Sequence, residues 1–411
     1  MLPWFLNAEG NARGASALHS AEGPLQVADQ RRPRAISGAF VPAAAGMQIE
    51  ANADFNGPRQ DGAGLYQVTQ FHGGPRKGER CLTAAAYLHP AMGRANLTVM
   101  TPSRALRVTV AGRRATGLLV RRGRQEIALR ARRAVILALG AFGSPQVLML
   151  SGIGPEAELR AHGLAVVHDL PGVGQNLQDH LDHTLSWRSL RPDLVGLNPG
   201  GLWRLLRAGM DWRRTGEGLF ASPTAEAGAL LHSRPGLTRP DLQVHFVIGI
   251  VDDQLRRRHL ADGYSSHICV LRPESRGTVG LTDANPLRAP RIDPAFLSDP
   301  RDLTTLMAGA RLMERVLSFG GGTGSLAGGS GCTCTTAATV PGRPTSAPAP
   351  TPSITRWGLP DGAGRHGGDG TGFARAGDAE PARGRCRRDA PGSRAATPMR
   401  RRSSARNGRR R

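Results

Sequence analysis

The chain has 411 residues, with 54 Lys and Arg against 32 Asp and Glu and a formal net charge of +22. Lys77 is its single lysine, and residues 321–411 hold 16 arginines against five acids, so about half of the excess sits in the last stretch. An uneven, arginine-only excess with 4% aromatic residues argues against a dedicated nucleic-acid surface, and no run approaches the ~20 apolar residues of a membrane span.

In chain order, Met1–Leu6 is apolar but has neither a basic region nor a small-residue cleavage site, so no signal peptide is expected. Leu97–Val99 and Leu106–Val110 read as short strands, followed by Gly117–Val120 and Glu126–Leu129 across a basic turn, a β-meander pattern. Arg133–Leu139 (RAVILAL) is a continuous apolar run of strand length, the kind buried on both faces of a parallel sheet. Ser144 then reads as an N-cap with Pro145 at the first helical position, opening a helix over Gln146–Leu150. Asp299–Leu317 is the clearest helix, with Leu303, Leu306, Ala310, Met313 and Leu317 at three-to-four spacing.

Past Phe319 the large apolar residues nearly vanish, and a Gly/Thr tract gives way to Arg, Gly, Ala and Pro. Such a segment buries too little surface to offset its ordering entropy, so 321–411 is expected to be disordered. The cysteines, at 81, 269, 332, 334 and 386, form neither a disulfide framework nor a CxxC pair. A reducing, cytoplasmic setting follows as the expectation, and no metal site is assigned.

The strand–Gly140-Ala141–helix at 133–151 has the form of a turn that lets backbone approach a phosphate, although glycine at a strand end also serves ordinary turn geometry. The longer strings are more specific. GAFGSPQVLMLSGIGP (Gly140–Pro155) and DLPGVGQNLQDHLDH (Asp169–His183) resemble the glucose–methanol–choline (GMC) family of flavin oxidoreductases. The resemblance continues in family order through DFNGPRQDGAGLYQVTQ (Asp54–Gln70), AEAGAL (Ala225–Leu230), RPDLQVHFV (Arg239–Val247) and RPESRGTVGLTDANPLRAPRIDPAFLSDPRDL (Arg272–Leu303). Within the family it is most similar to the choline-dehydrogenase-like and alcohol-dehydrogenase-like branch.

The resemblance implies a mixed α/β fold: part of an FAD-binding Rossmann-type domain over 1–185, a substrate domain on an antiparallel sheet over 186–320, and the tail 321–411. It implies FAD as cofactor and, on the cofactor side, Ala105 where the family usually has a valine beside the adenine, Gly140 and Ala141 near the pyrophosphate, and Asn176 to His180 near the cofactor shell. By residue type alone, His180 and His183 are as readily hydrogen-bonded structural residues, and neither is assigned to catalysis. The implied reaction is oxidation of the CH–OH group of choline or another primary alcohol, with the electron acceptor unassigned.

Two family features are not found. The glycine-rich dinucleotide turn of the family does not precede Leu2, and weak or no FAD binding is the expectation. The family's His-Pro-Val-Gly and Asn-Thr-Asn-Ala-Pro segments, which carry the catalytic histidine and its partner, do not occur, so no in-frame catalytic residue is assigned. The codons of Ser353–Gly358, shifted in frame, permit Tyr-His-Pro-Val-Gly, and those of Ala395–Arg402 permit Gly-Asn-Thr-Asn-Ala-Pro-Thr. Two further family segments are permitted across Leu359–Ala363 and Arg385–Gly392, in the same order. The tail is therefore expected to be a frameshifted GMC C-terminus. The competing readings are a basic polyanion-binding protein, on the strength of the charge, and a non-catalytic fragment.

Overall fold

The computed structural model describes residues 1–318 except 190, 192, 197 and 252–259, together with the backbone of 332–337. The first elements are α1 (Leu2–Ala8), β1 (Glu9–Asn11), β2 (Leu25–Ala28), α2 (Ala35–Ala45), β3 (Gly62–Leu65), β4 (Val68–Thr69) and α3 (His89–Ala91). A meander of β5 (Arg104–Ala111), β6 (Arg114–Arg122) and β7 (Gln125–Arg130) leads to α4 (Gly140–Leu150), β8 (Ile153–Gly154), α5 (Glu156–Ala161) and β9 (His168–Asp169). The remainder comprises β10 (Asp182–Arg188), α6 (Pro199–Thr215), β11 (Ala225–Leu231), β12 (Leu242–Val247), β13 (Gly263–Val270), β14 (Thr278–Gly280), β15 (Arg291–Asp293), α7 (Pro300–Ser318) and β16 (Cys332–Ala337).

The main sheet has six strands in the order β16-β10-β13-β12-β11-β3, and every pairing in it is antiparallel. Side chains alternate across such a sheet, so the strands sort their residues onto two unlike faces. On one face Leu185, Trp187, Tyr264, Ile268, Leu242, Val244, Phe246, Ala227 and Ala229 form the core with Ile36 and Phe40 of α2 and Leu306, Met313, Val316 and Leu317 of α7. Phe246 stacks on Phe40 with ring centroids 4.9 Å apart, and Trp187 stacks on Tyr264 at 5.8 Å. Helix α7 can approach β12 and β13 closely because Gly309 faces them: a Cβ there would lie 2.8 Å from Ile268 and 3.0 Å from Leu242. The helix is anchored at its start by Asp302, whose carboxylate accepts N–H bonds from Glu274 and Ser275.

The meander and α7 match the sequence pattern. Four local expectations change. Leu97–Val99 is not in a strand, and β5 begins at Arg104. Arg133–Leu139 forms no strand and is unpaired among the described residues, and Ile136 is 88% exposed. An apolar run becomes a buried parallel strand only where neighbours cover both its edges and faces, and here no described strand does so. Helix α4 begins at Gly140, a turn and a half earlier than the Ser144 cap predicts. Ser144 Oγ instead accepts the Leu139 N–H at 3.2 Å, and Pro145 lies inside the helix. Finally, Cys332–Ala337, within the stretch expected to lack order, pairs with β10 as an edge strand. The rest of 321–411, including the frame-shifted motif positions, lies outside the described residues.

The boundary set at 185/186 falls inside β10, and β3 brings residues from the N-terminal region to the opposite edge of the same sheet.

Candidate active site

The second face of the main sheet is polar, and its composition follows from register. Thr184 of β10 pairs with His267 of β13, which pairs with His245 of β12. One step along, Asp182 pairs with Cys269, and Cys269 with Gln243. All of these point away from the apolar core, because directly paired residues share a face and the period is two. The strands carry this as polar residues at alternate positions: Asp-x-Thr in β10, Gln-x-His in β12 and Ser-x-His-x-Cys in β13.

The groups on this face are connected. His267 Nδ1 lies 2.6 Å from Asp182 Oδ2 and 3.2 Å from Thr184 Oγ1, and His267 Nε2 lies 3.3 Å from Ser265 Oγ. The network assigns the Nδ1 proton toward the carboxylate, as the acceptor-only partner requires. Asp182 Oδ1 and Ser186 Oγ are buried with no hydrogen-bond partner among the described residues. Buried polar atoms are ordinarily satisfied, so these two mark a face built to meet another polar group.

Burial lowers the pKa of His245, with the Asp182 charge opposing that shift, so its imidazole is held neutral at pH 7. Burial, reinforced by Asp182, pushes the Cys269 thiol up to about 12, which leaves it an inert thiol rather than a nucleophile. Tyr66 covers one edge of the face: its ring lies 5.6 Å from that of His245 and 5.2 Å from Phe55, and its hydroxyl donates to the Val244 carbonyl at 2.8 Å. Gly228, on β11, leaves the space for this: a Cβ there would collide with the Tyr66 hydroxyl and the Val244 carbonyl.

The residues named from the sequence fall in two places. Ala105 is half-buried on β5, paired with Val120. Strand β5 is tied to the end of α4 by Ser151, whose Oγ accepts the Val108 N–H at 2.8 Å and donates to the Val147 carbonyl. Gly140 and Ala141 are exposed at the opposite, N-terminal end of α4. Asn176 is exposed with φ +61°, in the left-handed region, between the 170–173 turn and the bridge that joins Leu177 to Gly277. His180 is exposed and donates Nε2–H to the Leu271 carbonyl at 3.1 Å, while its own backbone N–H is accepted by Asp179. Among the described residues no hydrogen bond joins the α4 group to Asn176 or His180. Sequence reasoning missed Asp182, Thr184, Gln243, His245 and His267. No histidine stands out in a strand, and only the alternation carried through three paired strands brings them together. No cluster of metal-ligating residues occurs among the described residues.

Comparison with known proteins gives a consistent picture. The GMC oxidoreductase N-terminal domain pattern matches residues 6–182, and the GMC oxidoreductase C-terminal domain pattern matches 273–351. The chain is 40% identical over 311 residues to an alcohol dehydrogenase [acceptor] of Pseudomonas putida, covering 75% of this chain and 55% of that protein. It is 34% identical over 318 residues to an oxygen-dependent choline dehydrogenase of Brucella anthropi, covering 77% of this chain and 56% of that one. Among solved structures, pyridoxine 4-oxidase from Mesorbium loti aligns with TM-score 0.65 and 26% identity over 84% of this chain and 61% of its own. An Aspergillus oryzae formate oxidase, studied for its FAD modification, aligns with TM-score 0.68 and 20% identity over 79% of this chain and 61% of its own. The chain thus spans a little over half the length of the curated relatives it matches.

Proposed function

Because the chain belongs to the GMC oxidoreductase family, whose cofactor is FAD, we propose that it is the body of an enzyme that oxidises the CH–OH group of choline or another primary alcohol. The observation that carries this is the polar sheet face, where Asp182, His267 and His245 stand together beside two polar atoms that have no partner among the described residues.

The residues present fit one edge of a dinucleotide. Gly140 has φ +73°, and nothing lies within 4 Å of where its Cβ would be, so the backbone is open to a close approach. It starts α4, and the first N–H groups of a helix have no intrahelical acceptor and favour an anion. Gly140 and Ala141 would hold a phosphate, Ala105 would lie on the adenine side, and Asn176 and His180 would border the shell. Bound FAD supplies a hydride acceptor for the carbinol carbon.

The chain's own residues do the positioning. Asp182 keeps the proton of His267 on Nδ1, which leaves Nε2 able to accept a hydrogen bond from a hydroxyl. His245, held neutral by burial, is a second partner for a polar group at the same face. Thr184 and Gln243 flank them, and Tyr66 keeps water from one edge. We propose further that the group that takes the hydroxyl proton belongs to a family segment encoded out of frame beyond residue 351, where the in-frame match to the GMC C-terminal pattern ends. On that reading the 411-residue polypeptide does not turn over alcohols.

The test compares two polypeptides. The 411-residue chain is expected to purify without a flavin absorbance band. A polypeptide with the frame restored in the C-terminal tail and the family's glycine-rich turn supplied ahead of Leu2 is expected to bind FAD and to show flavin bleaching on anaerobic addition of choline or a primary alcohol. A yellow 411-residue chain that bleaches with alcohol overturns the inactivity. A flavin-loaded restored protein that no alcohol bleaches overturns the substrate class.

A further inference from the structure

Helix α6 carries an apolar stripe on its outside. Its buried side rests on Gly201 and on the half-buried Leu205, Ala208 and Trp212, which recur at three-to-four spacing and face the protein. On the opposite side Leu202 is 57% exposed, Trp203 64%, Leu206 58% and Met210 55%. At 100° per residue these four side chains lie within about a third of the helix circumference and line the same outward face. Phe220, 54% exposed on the following 3-10 turn, lies against Gly209 at one border of the stripe. A single exposed leucine on a protein surface is ordinary, but a contiguous apolar row with a tryptophan marks an interaction site.

What borders the stripe decides its partner. Arg207 and Arg214 border one side of it and Arg213 closes its C-terminal end, all exposed, and none has a carboxylate within ion-pair distance among the described residues. Arg204 is turned inward instead, pairing with Asp262 at 2.8 Å. The helix holds one acid, Asp211, which by the same angular count lies past Arg207 on the side away from the stripe. The helix is well fixed at both ends. Asn198 caps it by accepting the Gly201 N–H at 2.7 Å, Pro199 occupies the first position, and Gly216 closes it at φ +69°. A preformed helix that exposes Trp, Leu, Leu and Met beside unpaired arginines has the pattern of one that lies in a lipid–water interface. There the apolar side chains enter the acyl boundary, and the guanidinium groups reach anionic headgroups. A protein partner of the same shape would have to be acidic as well as apolar, whereas an anionic bilayer supplies both features at once.

We propose that α6 docks this protein on an anionic lipid bilayer, with Trp203, Leu206 and Met210 inserted and Arg207, Arg213 and Arg214 on the headgroups. No helix of the described residues is long and apolar enough to cross a membrane, so the contact is with one leaflet. The proposal rests on the surface of α6 alone and holds whether or not the alcohol chemistry does.

Flotation of the full chain with vesicles tests it, using equal parts phosphatidylglycerol and phosphatidylcholine against phosphatidylcholine alone. Wild type is expected to float with the anionic vesicles and not with the neutral ones. Leu206→Glu with Met210→Glu is expected to lower the floated fraction about tenfold, because two inserted apolar side chains become acidic beside an acidic surface. In parallel, anionic vesicles are expected to blue-shift the wild-type tryptophan emission. Trp203→Phe should lose most of that shift while still floating, which places the indole at the interface without any large change in the fold. A double variant that floats like wild type shows that the basic charge elsewhere does the binding, and overturns the proposal. So does a wild type that stays with the unfloated fraction. A wild type that is dimeric without vesicles and monomeric in the double variant assigns the stripe to a second copy instead, and likewise overturns it.

Discussion

Asp182 and His267 meet diagonally across the β10–β13 ladder, carboxylate Oδ2 to imidazole Nδ1 at 2.6 Å, although each pairs in register with a different residue. Asp182 is 22% exposed and His267 15%, so the pair is screened from solvent without being sealed from it. The other carboxylate oxygen of Asp182 has no partner among the described residues. Among the described residues His267 is the one donor to this carboxylate.

Removing that donor should therefore cost more than removing both groups. His267→Ala is expected to destabilise the fold by about 1–3 kcal/mol, the cost of leaving a part-buried charged acceptor unpaired. Asp182→Ala together with His267→Ala should be less damaging than His267→Ala alone, and chemical denaturation of the four proteins reads the coupling directly. Strict additivity would show that the contact carries no energy.

The apolar face should respond to volume. Phe246 is fully buried between Phe40 and Tyr264, with ring centroids at 4.9 and 5.4 Å, and Phe246→Ala is expected to cost about 3–5 kcal/mol. Gly228→Ala adds one methyl where the Tyr66 hydroxyl meets the Val244 carbonyl, and overpacking of this kind costs about 1–3 kcal/mol. The second variant should also shift the near-ultraviolet signal of Tyr66, since its ring must move. Thermal or denaturant midpoints check both values.

Stability should carry a pH signature from His19. This imidazole bridges Glu9 at 3.0 Å through Nδ1 and Asp54 at 2.9 Å through Nε2, joining β1 to the loop before β3. Burial opposes its protonation, but the hydrogen bonds and charges of Glu9 and Asp54 raise its pKa overall. A raised folded pKa means that the folded state binds more protons near neutrality. The stabilisation is thus fully present below the unfolded value of about 6.5 and is lost as pH rises through the folded value. Burial lowers the pKa of His183 and His245, which act with the opposite sign: their contribution is present above about 6.5 and is lost as pH falls. The difference between wild type and His19→Gln isolates the first effect. The wild-type advantage should be larger at acid than at alkaline pH, and an advantage that grows with pH would contradict the assignment.

Much of the fold was legible because period and burial agreed. In α7, residues 306, 309, 313, 316 and 317 face the sheet, as the three-to-four spacing requires. In the meander, two short strand-like runs across a basic turn placed β6 beside β7. Arg133–Leu139 was misread because apolar character reports only that a strand would be buried if neighbours were present. Among the described residues they are not, and Ile136 faces solvent. Helix α4 was set too short because Ser144 caps well by composition, yet its hydroxyl serves the Leu139 N–H from inside the helix. The family strings located Gly140, Asn176 and His180. They could not locate the Asp182–His267–His245 face, which exists only once three strands separated by up to some eighty residues are placed in register.

The basic charge that opened the sequence divides along the same line. Arginine, alanine, glycine and proline are what GC-rich codons yield when read out of frame, and residues 321–411 are dominated by these four together with serine and threonine. The proposed function supposes that the catalytic segment of a GMC oxidoreductase is encoded here out of frame. The nucleotide sequence across codons 320–411 tests it most directly. The expected codons spell Tyr-His-Pro-Val-Gly across Ser353–Gly358 and Asn-Thr-Asn-Ala-Pro across Ala395–Arg402 in a shifted frame. Codons that spell neither motif in any frame would contradict it.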